Sequence, residues 1–379
     1  MPIKFAVPKE FAAGERRVAM EPGVVKRLIQ AGAEVLMQKN AGAKAYFPDA
    51  AFIDAGARLI STAGALRKEA DILLKVQAPT VQEIKGLREG AVIIATIHAH
   101  RQPELLELLC KRNITCFAME LIPRISRAQS MDVLSSQASV AGYKAAIMGA
   151  DLASRFFPML TTAAGTIRPA TVLVIGAGVA GLQAIATARR LGAVVQGYDV
   201  RSATKEQVES LGAKFIELSI RAEGEGGYAR ELSGEEKARQ AEELAAYIAK
   251  VDVLITTAAI PGRPSPKIIT EAMVAGMKPG SVIIDLAAEG GGNCELSVPG
   301  KKIEHQGVII HAPLNVPSQV PLHASEMYAK NLFNFLQPML KDGEFAPDYE
   351  DEVVAKSLLT RDGEIVHAPT REALQGGAS

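Results

Sequence analysis

The chain has 379 residues, which is enough for two to three domains that each bury a core of their own. Hydrophobic residues at 48% and charged residues at 22% exclude a disordered chain, and 42 basic residues balance 42 acidic ones, so no net charge is available to hold nucleic acid or an anionic membrane. Three cysteines without a Cys-x-x-Cys pair, and histidines without ligand spacing, predict a reducing compartment, no structural disulfide and no metal site.

Short aliphatic runs alternate with helical stretches, a pattern that predicts parallel strands joined by crossover helices in an α/β protein. A first series of strands is predicted at residues 3–8, 33–38, 72–76, 91–96 and 114–118. A second series is predicted at residues 171–175, 193–199, 251–257, 281–287 and 308–310. Two series predict two sheets, each with its own domain.

Two long helices are predicted to connect these domains, at residues 132–157 and 326–340, and Pro338 interrupts the second near its end. We expect the second helix to return the chain to the first domain. The predicted domains are therefore 1–131 plus 326–379, and 132–325. In the tail, Asp362-Gly363 between β-compatible flanks predicts a hairpin.

The motif Gly176-Ala-Gly178-Val-Ala-Gly181 directly follows the predicted strand at residues 171–175 and opens an apolar helix. This is the context in which a Gly-x-Gly-x-x-Gly pattern predicts a dinucleotide site, with pyrophosphate on the amides at the helix N-terminus. The stretch from 171 to 188 carries no charge, but its β-branched run followed by glycines favours strand, turn and helix over a membrane span.

An acidic residue follows the next predicted strand. Asp199 lies 21 residues beyond Gly178, where a carboxylate accepts hydrogen bonds from the adenosine ribose hydroxyls and repels a 2′-phosphate. The sequence therefore predicts NAD(H) in preference to NADP(H), although Arg201 weakens that preference.

The segment from Pro123 to Asp132 holds two arginines, an amide, two hydroxyls and a carboxylate. Taken alone, it fits a functional loop or a solvated connector in which Asp132 or Ser130 caps the following helix. With its flanks, AMELIPRISRAQSMDVLSSQ, and with VIGAGVAGLQAIATARRLGAVV and SVIIDLAAEGGGNCELS, it resembles the NAD(H)-binding component of proton-translocating transhydrogenase, over nearly the whole chain.

The resemblance implies two Rossmann-like, doubly wound parallel-sheet domains joined by long helices, with NAD(H) in the cleft between them. It implies nicotinamide contacts from Arg124, Ile125, Ser126, Arg127 and Gln129, with Asp132 and Ser135 holding the loop and the ring. The pyrophosphate and adenosine side is implied at Gly176, Gly178, Val179, Ala180, Gly181, Asp199, Val200 and Arg201, and further contacts at Gly227, Gln240 and Ala259. The residues implied in the hydride step are Arg124, Gln129, Asp132, Ser135 and Tyr228, the last on a mobile lid at residues 223–228.

The resemblance also implies direct hydride transfer to NADP(H) on a membrane-embedded partner subunit, which couples the transfer to proton translocation. It implies a homodimer, located in the cytoplasm and attached to the inner face of the plasma membrane through that partner. A chain with one glycine fingerprint must receive the second nicotinamide from another polypeptide.

Two alternatives remain open on the sequence. One is a free-standing alanine or amino-acid dehydrogenase, because Arg17, Lys75 and His98 match substrate positions of alanine dehydrogenase, although Glu289 stands where that family has a catalytic aspartate. The other is a non-catalytic NAD-sensing module. The direction of hydride flux does not follow from these residues.

Overall fold

A computed structural model describes residues 2–219, 233–259 and 264–376. The chain divides into a first unit of residues 1–137 and 318–379 and a second unit of residues 138–317. The first unit is therefore built from both ends of the chain. The boundaries lie six to eight residues from those predicted at 131/132 and 325/326.

The elements of the chain up to the second unit are strands and helices in alternation. The strands are β1 (Lys4–Val7), β2 (Glu34–Gln38), β3 (Arg58–Ile60), β4 (Ile72–Leu74), β5 (Val92–Ala95) and β6 (Thr115–Ala118). The helices are α1 (Pro22–Gln30), α2 (Asp49–Asp54), α3 (Ala63–Glu69), α4 (Val81–Gly86), α5 (Pro103–Lys111) and α6 (Val133–Leu152), which continues into the second unit.

The second unit adds a second alternating series. Its strands are β7 (Leu160–Thr162), β8 (Gly165–Ile167), β9 (Thr171–Ile175), β10 (Val194–Tyr198), β11 (Lys214–Phe215), β12 (Val253–Thr256), β13 (Val282–Asp285), β14 (Lys302–His305) and β15 (Val308–His311). Its helices are α7 (Val179–Arg190), α8 (Lys205–Ser210), α9 (Gly234–Ile248) and α10 (Glu271–Ala275).

The chain then returns to the first unit through α11 (Pro321–Leu336), β16 (Leu340–Lys341), β17 (Glu344–Phe345), α12 (Glu352–Ser357), β18 (Leu358–Arg361), β19 (Glu364–Ile365) and α13 (Ala368–Gly376). The hairpin predicted at Asp362-Gly363 is present, because β18 pairs antiparallel with β19 across those two residues.

Both large sheets have the Rossmann strand order. The first runs β19-β18-β6-β5-β4-β1-β2-β3 and the second runs β11-β10-β9-β12-β13-β15-β14. Strands β1 to β6 are parallel, as are β9 to β13 with β15, whereas β18 and β14 are antiparallel additions. This confirms the predicted α/β class with two Rossmann-like, doubly wound parallel sheets.

Each sheet is covered on both faces. Phe5 and Val7 of β1 lie in one apolar cluster and Ala6 lies in another, and Val172 of β9 is separated from Leu173 in the same way. Alternate side chains of one strand point to opposite faces, so continuous apolar strands mark sheets buried between helices.

Both long helices differ from their predicted bounds. The predicted helix 132–157 ends earlier, at Leu152, where the chain turns and the Ser154 hydroxyl donates to the Gly280 carbonyl at 3.2 Å. The helix predicted at 326–340 begins earlier, with Pro321 in its first turn, and gives way to a 3-10 turn at Pro338. Proline suits the start of a helix because its fixed φ matches helical geometry and its missing N–H is not needed there.

Within the described ranges, no helix is both long enough and apolar enough to cross a membrane.

Candidate cofactor site

In the second unit, the three glycines between β9 and α7 do three different things. Gly176 has a φ of +94°, which makes the turn after the strand. A Cβ on Gly181 would lie 1.8 Å from the Gly176 carbonyl oxygen, so only glycine lets the helix pack this closely. Gly178 begins α7 without a side-chain cap, and a Cβ there would meet nothing within 4 Å. Open space at a helix N-terminus fits a pyrophosphate held by backbone amides.

Two neighbours fix this turn from outside the motif. Thr257 follows β12, and its hydroxyl donates to the Gly176 carbonyl at 3.0 Å. Gly142 of α6 allows close packing on α7, since a Cβ on it would lie 2.0 Å from the Ala180 carbonyl oxygen. Neither residue was predicted from the sequence. A glycine inside a long predicted helix was the available signal for Gly142.

Asp199 follows β10 at the same edge of the sheet. Its side chain is 6% exposed, and one oxygen accepts the Ala177 amide at 2.7 Å. The Arg201 guanidinium donates to both carboxylate oxygens, at 2.9 Å each, and the Arg201 amide donates to one of them at 2.9 Å. Burial raises the pKa of Asp199, but the hydrogen bonds from Arg201 and Ala177 outweigh it, so the pKa of this carboxyl lies below its usual value.

The other residues predicted on the adenosine and pyrophosphate side differ in exposure. Val179 and Val200 are exposed by 42% and 48%, which is unusual for valine and leaves both side chains open to a ligand. Ala180 and Gln240 are half-buried, and Ala259 is exposed just after β12. The predicted residues Gly227 and Tyr228, with the rest of the predicted lid, lie outside the described residues.

A second glycine run, at residues 290–292, forms a turn around a buried carboxylate. Gly291 and Gly292 have φ values of +100° and +85°, and a Cβ on Gly292 would lie 2.6 Å from Asp285 Oδ2. Asp285 is fully buried and accepts hydrogen bonds from Thr256, Ala287, Cys294 and Ser297. The sequence left open whether this run approaches a ligand, and the geometry accounts for Gly292 by the turn and Asp285.

In the first unit, the RISRAQSMD loop lines a pocket of about 390 Å³. Its lining residues are Pro123, Arg124, Ile125, Gln129, Asp132 and Ser135. Residues Ser126–Met131 form a 3-10 helix, which turns the chain between Ile125 and α6. The pocket thus brings together four of the five residues that the resemblance places in the hydride step.

Asp132 caps α6. One of its oxygens accepts the Ser135 amide at 2.9 Å and the other accepts the Ser135 hydroxyl at 2.6 Å. These bonds satisfy a helix amide that would otherwise have no partner, and they fix the carboxylate at the pocket wall. The cap and the pocket lining are combined in one residue, so the two interpretations of this segment are not exclusive.

Ser126 and Arg127 do not line this pocket. Arg127 is 51% exposed, and its guanidinium donates to Asp351 at 2.8 Å, which holds the pKa of that carboxyl below its usual value. The loop is anchored on its other side by two asparagines of α11, which were not predicted from the sequence. Asn331 and Asn334 both donate to the Ser130 carbonyl, at 2.8 and 3.0 Å.

Two of the three residues shared with amino-acid dehydrogenases are engaged in buried ion pairs of the first unit. Arg17 donates to both carboxylate oxygens of Glu15, at 2.9 and 2.7 Å. Burial raises the pKa of Glu15, but the bonds and charge of Arg17 outweigh it, so the pKa is lowered to about 2. Lys75 is 2% exposed and donates to Glu10 at 3.0 Å and to Glu83 at 3.1 Å.

The two remaining dehydrogenase positions lie in different units. His98, in the first unit, has a left-handed φ of +51°, and its amide donates to Glu120. Glu289, in the second unit, is exposed and accepts the Asn315 amide at 3.0 Å.

Comparisons with known proteins agree with this architecture. The family model described as "Alanine dehydrogenase/PNT, N-terminal domain" matches residues 6–141, and "Alanine dehydrogenase/PNT, C-terminal domain" matches residues 145–368. An NAD(P) transhydrogenase subunit alpha of Rhodospirillum rubrum, in which the subunit is divided and the matching protein is its first portion, is 53% identical over 376 residues, which cover 96% of this chain and 98% of that protein.

The solved structure of a transhydrogenase from Sinorhizobium meliloti superposes with a TM-score of 0.88 at 48% identity, over 96% of this chain and 99% of that chain. An alanine dehydrogenase of Mycolicibacterium smegmatis is more distant, with 29% identity over 367 residues, which cover 95% of this chain and 94% of that protein. The chain therefore belongs to the alanine dehydrogenase/PNT family and, within it, to the alpha subunits of NAD(P) transhydrogenase.

Proposed function

We propose that this chain is the NAD(H)-binding component of a proton-translocating transhydrogenase. In this proposal, hydride passes directly between NAD(H) on this chain and NADP(H) on a membrane-embedded partner subunit, and the chain is active only with that partner. The family assignment supports the transhydrogenase class. The pocket formed by the RISRAQSMD loop is the observation that carries the proposed chemistry.

The lining of that pocket suits positioning rather than acid–base work. It presents the guanidinium of Arg124, the amide of Gln129 and the carboxylate of Asp132. Both oxygens of Asp132 already accept hydrogen bonds from Ser135, so this carboxylate is held in place. When bound, NAD(H) supplies or accepts a hydride at carbon, a step that changes the protonation of no oxygen. The residues need only orient the nicotinamide amide and exclude water.

The glycine loop of the second unit provides the features that a dinucleotide needs. The open N-terminus of α7 at Gly178, with Val179, Ala180 and Gly181, would hold the pyrophosphate through backbone amides. Asp199, Val200 and Arg201 would border the adenosine, and Gln240 and Ala259 would add further contacts. In the first unit, Arg124, Ile125, Ser126, Arg127 and Gln129 would contact the nicotinamide half.

The proposed assembly is a homodimer that attaches to the inner face of the plasma membrane through its partner. The hairpin of β7 and β8 supports a contact between two copies, because Met159, Leu160 and Ile167 on it are exposed by 64%, 38% and 46%. Exposed apolar side chains grouped on one short hairpin are typical of an interaction surface.

The test is to mix the purified chain with the NADP(H)-binding domain of a transhydrogenase partner and follow hydride transfer from NADH to an NADP analogue. We expect transfer in the mixture and none with either component alone. No transfer, with NADH binding intact, would favour an NAD-sensing module. Oxidation of L-alanine by the chain alone with NAD would favour the dehydrogenase alternative.

Gln129→Asn tests the pocket directly. Shortening the side chain by one methylene withdraws the amide from its present position while preserving its chemistry. We expect hydride transfer to slow about tenfold or more, since small misplacements are costly at this step, while NADH affinity falls much less. An equal loss in both quantities would make Gln129 an ordinary binding residue.

A further inference from the structure

The carboxylate of Asp199 is saturated with hydrogen bonds before any ligand binds. One oxygen accepts the Ala177 amide and one guanidinium nitrogen of Arg201, and the other accepts the Arg201 amide and a second guanidinium nitrogen. The carboxylate is 6% exposed and the guanidinium 51% exposed, so the outer member of the pair is the cation. The charge nearest to solvent at this edge of the sheet is therefore positive.

A guanidinium at this place has a known affinity for phosphate. Near the end of the second strand of a Rossmann sheet, arginine accommodates the 2′-phosphate of NADP, because its planar fork donates two parallel hydrogen bonds to phosphate oxygens. Arg201 is two residues from Asp199 and would be available for that contact if it were free. In this structure both arms of the fork point into the Asp199 carboxylate.

We propose that Asp199 sets the preference for NADH over NADPH by sequestering Arg201 as well as by repelling the 2′-phosphate. The proposal rests on the proposed NAD(H) function. Its consequence is that Arg201 does not weaken the preference for NADH, contrary to the expectation from sequence. Removing the charge of Asp199 exposes a phosphate-binding arginine, and the selectivity then depends on Arg201.

The experiment measures equilibrium dissociation constants of NADH and NADPH from the fluorescence of the reduced nicotinamide. The variants are Asp199→Asn, Arg201→Ala and both together. Asparagine keeps an oxygen that can accept the Ala177 amide, so the glycine loop retains its support while the ion pair is lost. Arg190→Ala, combined with Asp199→Asn, is the matched control, since Arg190 is an exposed arginine at the other end of α7.

We expect Asp199→Asn to tighten NADPH binding by about tenfold or more, the effect of about one charge-assisted hydrogen bond. Adding Arg201→Ala should abolish that gain, adding Arg190→Ala should keep it, and Arg201→Ala alone should bring no gain. Added salt should weaken the gained NADPH binding more than NADH binding.

Three outcomes overturn the inference. They are no gain in NADPH affinity in Asp199→Asn, a gain that survives Arg201→Ala, and a gain that Arg190→Ala abolishes equally. Thermal unfolding of each variant establishes that the folded protein was measured. If the wild-type chain binds neither coenzyme, the proposed function itself fails, and this result is distinct from a wild-type chain that binds NADH while its variants gain nothing.

Discussion

Gly178 and Gly181 lie one helical turn apart in the same motif, yet a methyl group would meet different surroundings at each. At Gly181 it would collide with backbone, at 1.8 Å from the Gly176 carbonyl oxygen, and backbone cannot move aside cheaply. At Gly178 it would point into open space. One glycine is therefore required by the fold and the other only by a ligand.

This difference predicts that Gly181→Ala destabilises the protein by about 2 kcal/mol or more, whereas Gly178→Ala costs less than about 1 kcal/mol. Gly178→Ala should nevertheless weaken NADH binding by about tenfold or more, because the added methyl occupies space that the pyrophosphate needs. Thermal unfolding and NADH titration of both variants check this. Unchanged NADH affinity in Gly178→Ala would show that the coenzyme does not approach this turn.

Glu15 provides a prediction for pH. Its carboxyl is fully buried against Arg17, and its pKa is lowered from 4.5 to about 2 in the folded state. A lowered folded pKa contributes stability that is complete above the unfolded value and is lost as pH falls from about 4.5 toward 2. The contribution is on the order of 3 kcal/mol.

We therefore expect the urea midpoint of the wild type to fall more steeply between pH 5 and 3 than that of Glu15→Gln, which has no carboxyl to titrate at this position. Glu69→Gln is the control, because Glu69 pairs with Arg58 at the surface, where solvent screens the pair. Parallel slopes for the wild type and Glu15→Gln would contradict the assignment.

At these single positions, the sequence predicted the chemistry of residues better than their partners. Asp132 was a candidate helix cap from its place before a helix, and the cap is present. Asp199 was predicted from its spacing, but its pairing with Arg201 depends on side-chain rotamers that spacing does not determine. Arg127 was grouped with the pocket by resemblance, and only the structure reveals its bond to Asp351, 224 residues away in sequence.

At the scale of elements, α11 positions the RISRAQSMD loop. Asn331 is 7% exposed, donates to the Ser130 carbonyl and accepts the Ser136 hydroxyl at 2.6 Å. Through these two bonds it links α11, the loop and the start of α6. Asn334 donates to the same carbonyl from an exposed position.

We predict that Asn331→Ala slows hydride transfer about tenfold while NADH affinity changes less than about threefold, because the loop shifts without losing its own binding groups. It should also lower stability by about 1 to 2 kcal/mol, since buried polar partners lose hydrogen bonds. Asn334→Ala should have a smaller effect on the rate. Kinetics with the partner domain check this, and a proportional loss of rate and affinity would reduce Asn331 to a merely structural residue.

Long, strongly apolar strands were predictable, whereas short or edge strands were not. The ten predicted strands all correspond to observed ones, because burial on both faces leaves continuous aliphatic runs. β3 and β11 have three and two residues, too few for a pattern. β14 alternates exposed with half-buried residues at the edge of its sheet and adds antiparallel, so it lacks the apolar run of the inner strands.

At the scale of the whole molecule, the division into two units followed from the two series of strands and from a helix that leads back. The exact boundaries did not, because α6 continues unbroken from one unit into the other, and no break in its sequence marks Gln137. The hairpin of β7 and β8 was not predicted either. Its segments of three residues each resemble a connector, and its exposed apolar side chains become notable only once their neighbours are known.

That hairpin yields a prediction about assembly. If two copies of the chain associate through it, Met159→Ser combined with Leu160→Ser should weaken the dimer by about 10- to 100-fold, because each buried apolar side chain contributes about 1.5–3 kcal/mol. Sedimentation equilibrium over a range of concentrations measures the shift toward monomer. Ile53→Ser is the matched control, since Ile53 is 54% exposed on α2 of the other unit. A wild-type monomer would contradict the homodimer, and a dimer that resists the double substitution would place its interface elsewhere.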